Sequence, residues 1–179
     1  MKKIILFAML YVCAIGLAQE KMISKAGKIT FEASVASFEE VKAVNTNVTF
    51  VLNPKTGEIA ALALMKGFRF KVALMEEHFN ENYMESDQYP KATFKGKIEA
   101  FDLDNLSANP KDFIIKGKLE LHGKLKDINI QAKVSKSISG ISILSNFTVL
   151  ASDFNIEIPS LVKGKLSNKV NILIDAVLK

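Results

Sequence analysis

The chain has no tryptophan, one cysteine, one arginine and two histidines among its 179 residues. Each shortage removes a class of function. The cysteine, Cys13, sits inside an apolar run near the start, so a chain cleaved beyond that run has no thiol. Disulfides and thiol redox chemistry are then ruled out. Zinc and similar metals draw mainly on Cys and His ligands. His78, beside Glu76 and Glu77, lacks the HExxH spacing that puts two ligands one helical turn apart, and His122 lies far along the chain. No metal and no cofactor are expected. Arg69 is the sole arginine, whereas bidentate recognition of phosphates and base edges favours that residue. The lysines are dispersed and read as a solvated surface, so nucleic acid is not expected as a partner.

Catalytic constellations are also missing. There is no GxSxG, no glycine-rich phosphate loop and no Cys/His pair. Glu81 and Glu85 are four apart and could share a helix face, but acid–base work needs a buried or coupled environment. That acidic face reads as solvated, and no catalytic residue is assigned. Three Asn-x-Ser/Thr tripeptides, at Asn47, Asn105 and Asn146, read as structural, two of them within strands.

What is present begins with a targeting pattern. Lys2 and Lys3 precede an apolar run from Ile4 to Leu17, and Gly16-Leu17-Ala18 supplies small residues before Gln19. The run is short for a membrane span, and polar residues follow at once. Residues 1–18 are read as a signal peptide cleaved after Ala18, with a periplasmic or secreted protein of residues 19–179 as the product. Val12 precedes Cys13 where a lipoprotein site wants Gly or Ala, so no stable membrane anchor is expected. Loss of Lys2 and Lys3 lowers the formal charge from +5 to +3, because no acidic residue precedes Glu20. About 160 residues remain, enough for one domain with a substantial core.

The period of the apolar residues organises that domain. Ile29, Phe31, Ala33 and Val35 alternate with polar neighbours, as do Val48, Phe50 and Leu52, which run into the turn Asn53-Pro54-Lys55-Thr56-Gly57. Ile59 to Phe70 is apolar on both sides, which predicts a strand whose outer face is also covered. The period then changes. Val72, Met75, Phe79 and Tyr83 share one helical face, and Glu76, Glu77, Asn80 and Glu81 fall mainly on the other. Ser86-Asp87-Gln88 and Pro90 end the helix. Alternation resumes over Ala92–Phe101, and a polar loop spans residues 102–112. Strands follow at 113–121, 128–134, 143–151 and 170–178, with His122-Gly123 as a hairpin tip and Pro159 and Gly164 in a loop.

About eight strands with short links favour antiparallel pairing. The predicted fold is all-β: an eight-stranded antiparallel lipocalin-like barrel with one helix inserted after the third strand, a two-sheet sandwich being the alternative. Inward positions mix Phe31, Phe50, Phe94 and Phe147 with Ala33, Ala92, Gly96, Gly117, Ala132 and Ala151. The small residues either leave a cavity or are filled by large residues opposite. A cavity lined by Phe, Ile and Ala suits an alkyl or isoprenoid chain. Its candidate contacts are Phe31, Phe50, Met75, Phe79, Tyr83, Phe94, Phe147 and Ile172.

Three stretches carry a family resemblance. His78-Phe79 is followed by the run from Met84 through Tyr89-Pro90-Lys91-Ala92-Thr93-Phe94; a second match is Gly117–Lys124, and a weaker one is Asp153-Phe154. On these residues the chain resembles the YceI-like family, secreted lipocalin-like barrels that bind polyisoprenoid or other long-chain amphiphilic lipids. It departs from the family pattern at Met75, where an arginine is frequent, and at Ala26-Gly27-Lys28, where Ser-His-Ser is frequent. The resemblance implies an elongated apolar pocket, a long-chain lipid partner such as an isoprenoid or fatty acid, and no enzymatic activity. The competing expectation is an extracytoplasmic protein-interaction module with a filled barrel.

The targeting pattern has a direct test. Intact-mass measurement on protein from the extracytoplasmic fraction should show an amino terminus at Gln19. Soluble full-length precursor in the cytoplasm would contradict export.

Overall fold

Strands whose alternate residues are apolar must turn one face to a common interior, and here that face closes on itself. The computed structural model describes residues 21–36 and 38–179; the expected signal peptide and its cleavage site lie outside the described residues. The strands are β1 (Met22–Ser34), β2 (Lys42–Leu52), β3 (Glu58–Leu64), β4 (Arg69–Phe70), β5 (Lys91–Ile98), β6 (Lys111–Leu121), β7 (Lys124–Ser137), β8 (Gly140–Leu150) and β9 (Leu166–Leu178). Among the described residues one α-helix, α1 (Ala73–His78), continues into a π turn over Phe79–Tyr83.

Every pairing is antiparallel. Strand β1 pairs with β2 on one side, Phe31 opposite Ala43, and with β9 on the other, Phe31 opposite Ile172. Eight long strands thus form a closed ring that leaves no long edge exposed. Strand β4 is a ninth, two-residue piece beside the start of β2. The helix accordingly follows the fourth strand rather than the third. The reason is an interruption: the stretch expected to run unbroken from Ile59 to Phe70 breaks into a 3₁₀ turn at Met65–Gly67.

Asn45 holds that interruption in place. Almost fully buried, it donates through Nδ2 to Leu64 O (3.0 Å) and accepts at Oδ1 from Asn47 N (2.9 Å). Gly67 passes close against it; a β-carbon there would lie 2.6 Å from Asn45 Nδ2.

The expected cover over the outer face of residues 59–70 is absent among the described residues. Leu62 and Leu64 point outward and are 37% and 55% exposed. The inward positions of β3 are Ile59, Ala61 and Ala63, and a barrel strand needs only that face packed. Smaller differences fall at element ends. Strand β5 stops at Ile98, before a turn in which Ala100 has φ 50°, and Ala151 lies in a 3₁₀ turn instead of a strand. The hairpin at His122-Gly123 is as read, with φ 49° and 70°, the two-residue turn that matches strand twist.

The two ends of the barrel differ. Near the 53–57 and 99–110 loops, Leu52, Ile98, Val134, Ile141 and Leu178 are essentially inaccessible, and Leu106 is buried with them. The inward side chains of that end are buried against one another. The opposite end carries residues 35–36 and 38–41, the helix, the His122 tip and the 151–165 segment. No helix among the described residues is long and apolar enough to cross a membrane.

Asn45→Ala should lower stability by about 1–3 kcal/mol, because Leu64 O loses the partner that the buried Asn45 supplies. Asn47→Ala, at an exposed site, should change it by no more than about 0.5 kcal/mol. Urea denaturation of both variants distinguishes them; equal effects would remove Asn45 from this role.

Candidate ligand cavity

The inward faces enclose a cavity of about 370 Å³ that opens toward the helix end. That volume falls within the roughly 300–1,000 Å³ of small-molecule sites. Its walls follow from register. Phe31, Ile172 and Phe147 lie side by side across β1, β9 and β8, and Ile29, Ile174 and Ser145 form the next row. On the far wall Ala61 faces Phe94 and Ala63 faces Ala92 across β3 and β5. The walls are apolar. The buried polar residue of the lining, Ser145, already donates its hydroxyl to Gln131 O at 2.6 Å.

Small inward residues divide into two kinds. Gly96 and Gly117 are opposite each other, and the Phe94 ring lies across both; a β-carbon would meet that ring at 2.7 and 2.5 Å respectively. Gly27 is covered in the same way by Phe50. Those gaps are filled. The alanines at 33, 61, 63, 92 and 151 do line open space.

Four phenylalanines close the wall beneath the helix. Phe79 stacks on Phe31 at 5.2 Å between centroids and packs against Phe68 and Phe70 at 5.9 and 5.1 Å. The helix is positioned by Glu76. Its carboxylate accepts from Arg69 Nη1 (2.6 Å) and from Phe70 N (3.1 Å), linking α1 to β4. Asn80 donates to Glu76 O and accepts from the Ser86 hydroxyl at 2.7 Å, with Ser86 buried. The polar side of the helix is therefore only partly solvated: Glu77 and Glu81 are exposed, whereas Glu76 and Asn80 clamp the structure.

All eight residues expected at the site, Phe31, Phe50, Met75, Phe79, Tyr83, Phe94, Phe147 and Ile172, line the cavity. Val72 does not; it is the residue preceding the helix. Sequence reasoning missed Phe68, Phe70, Met84, Phe154 and Lys165, which also line it. Phe68 and Phe70 end the apolar run read as a strand, and their number in a row was the available signal. Nothing local distinguished Lys165 from other surface lysines.

A polar clasp joins three segments at the open end. His122 Nδ1 lies 3.0 Å from Phe154 O and Nε2 lies 2.9 Å from Glu85 Oε2, with the side chain only 9% exposed. The two contacts tie the hairpin tip to the turn that follows the helix and to the segment around Phe154. The Tyr89 ring meets the imidazole edge-on at 4.4 Å. Glu85, His122 and Asn155 all have positive φ (44°, 49° and 56°), one in each joined segment. Glu81 and Glu85 consequently do not form a pair; Glu85 has turned away to the hairpin.

The sequence profile of the YceI-like domain matches residues 20–178. The chain belongs to the YceI-like family. Solved structures agree with this YceI-like fold. A polyisoprenoid binding domain from Saccharophagus degradans, implicated in plant cell wall breakdown, has a TM-score of 0.77 at 15% identity, over 89% of this chain and 97% of that one. BcnA of Burkholderia cenocepacia gives 0.69 at 15%, over 83% and 94%. The YceI protein of Campylobacter jejuni gives 0.60 at 19%, over 81% and 89%. At these identities the likeness is one of fold. No curated protein sequence matches the chain.

In this YceI-like domain the clasp should be structural. His122→Ala, which leaves Phe154 O and Glu85 without their partner, should cost about 1–3 kcal/mol. Glu85→Gln keeps an acceptor opposite Nε2 and should cost less. Chemical denaturation gives both values, and an unchanged midpoint for His122→Ala would exclude the clasp as a stabilising element.

Proposed function

We propose that the protein is an extracytoplasmic, non-enzymatic binding protein that sequesters or carries one long-chain amphiphilic lipid, an isoprenoid or fatty-acyl chain, inside the barrel. The observation that supports this most is the open, apolar cavity whose buried Ser145 hydroxyl is already hydrogen-bonded. The interior of such a space favours an apolar chain over a polar solute. Each methylene moved into it from water contributes about 0.8 kcal/mol, so ten contribute about 8 kcal/mol before the entropy of association is subtracted. The polyisoprenoid binding domain from Saccharophagus degradans shares the fold. Export rests on the amino-terminal pattern. A barrel filled by its own side chains fits less well, because Phe94 and Phe50 cover the glycines and still leave the alanine-lined space open.

Organic extraction of the purified protein followed by mass spectrometry should release a long-chain lipid. Phe79 then distinguishes lipid site from packed core. It is half-buried, lines the cavity and sits on the helix rather than on the barrel wall. Phe79→Ala should lower retention of a fluorescent long-chain lipid clearly, yet cost less than the about 3–5 kcal/mol of a Phe→Ala change in a filled core. Phe94→Ala, which uncovers Gly96 and Gly117, is the control and should be destabilising. Phe79→Ala that binds lipid as wild type, with a stability loss equal to that of Phe94→Ala, would take the helix out of the site.

A further inference from the structure

The walls of the cavity carry no carboxylate. Of its lining residues only His78, Tyr83 and Lys165 have ionisable side chains, and Lys165 is the one lysine among them. Lys165 lies immediately before β9, whose first residue Leu166 is opposite Ser34 at the open end of β1. Its backbone N–H donates to Val162 O at 2.8 Å, which holds the turn that presents it. The residue is exposed and lines the cavity as well, the arrangement in which a lysine stem lies along apolar surface while its ammonium stays in water.

That ammonium has no ion pair among the described residues. The nearest acids along the chain do not compete for it: Asp153 pairs with Lys126 at 3.3 Å, and Glu157 is exposed and does not line the cavity. On the helix side Glu77 and Glu81 also lie outside the lining, whereas His78 and Tyr83 line it with no hydrogen bond from their side-chain polar atoms to another described residue. An apolar chamber therefore ends in one unpaired cation and two further groups able to donate.

From this we infer that the ligand of the cavity is a single-chain amphiphile with an anionic head group, a carboxylate or a phosphate, held at the rim by Lys165. The inference rests on the proposed lipid-binding function and narrows it to a head-group charge. Because the pair at the rim is exposed, its contribution is modest, about a two- to fivefold preference over a neutral head on the same chain.

The test is competition for the delipidated protein against the uncharged probe N-phenyl-naphthylamine, with palmitate, cetyl phosphate and cetyl alcohol as competitors. Palmitate, cetyl phosphate or both should displace the probe about two- to fivefold more effectively than cetyl alcohol. Which acid leads tells carboxylate from phosphate. Lys165→Met should abolish the advantage and leave cetyl alcohol unchanged. Lys163→Met, at an exposed lysine that does not line the cavity, should preserve it. Equal binding of acid and alcohol by wild type, or an acid preference that survives in Lys165→Met, would overturn the head-group assignment while leaving lipid binding intact. Failure of all three competitors would overturn the lipid-binding function and this inference together.

Discussion

Antiparallel pairing of β1 to both β2 and β9 is the interaction on which the rest depends. Without it the sheet would be open, with two unpaired strand edges and an apolar face exposed to water. With it, the inward alternate residues of eight strands are forced to share one interior. Phe31 occupies the middle of this arrangement. Its backbone lies between Ala43 and Ile172, and its ring stacks on Phe79, so strand closure and helix placement meet at one residue.

Closure leaves two ends to be dealt with, and the chain treats them differently. One is plugged by branched aliphatic side chains and the 99–110 loop, from which Leu106 enters the core. The other is covered by polar fastenings: Glu76 to Arg69 and the Phe70 backbone, and His122 to Glu85 and the Phe154 carbonyl. Directional bonds of this kind hold segments in place without filling the space beneath them. A hydrophobic plug at both ends would have consumed the cavity.

The strand pattern was legible because a half-buried strand writes its period of two directly into the residues. Five of the eight expected contacts, Phe31, Phe50, Phe94, Phe147 and Ile172, line the cavity for the same reason, because inward strand positions of a closed barrel have nowhere else to face; Met75, Phe79 and Tyr83 reach it from the apolar face of the helix and its π turn. Errors came where one residue type serves two environments. Leu62 and Leu64 read as buried from composition, yet face solvent because β3 places its alanines inward. Gly96 and Gly117 could be read as open space or as filled from opposite, and the Phe94 ring fills them. Glu76 read as solvated, and its partners are the Arg69 guanidinium on β4 and the Phe70 amide.

Local sequence determined the all-β class, the single helix and its ending before Pro90, the His122-Gly123 turn and the apolar character of the interior. Each of these depends on residues within a few positions of one another, where periodicity and backbone preference act. Tertiary structure decided what depends on contacts between distant segments: the interruption at Met65–Gly67 under Asn45, the clasp from His122 to residues 37 and 32 positions away, and the presence of Lys165 at the rim of a cavity built from every long strand. The volume left over is likewise a tertiary property. It is the small difference between the space a closed ring of strands encloses and the side chains pointing into it, and no stretch of sequence carries that difference alone.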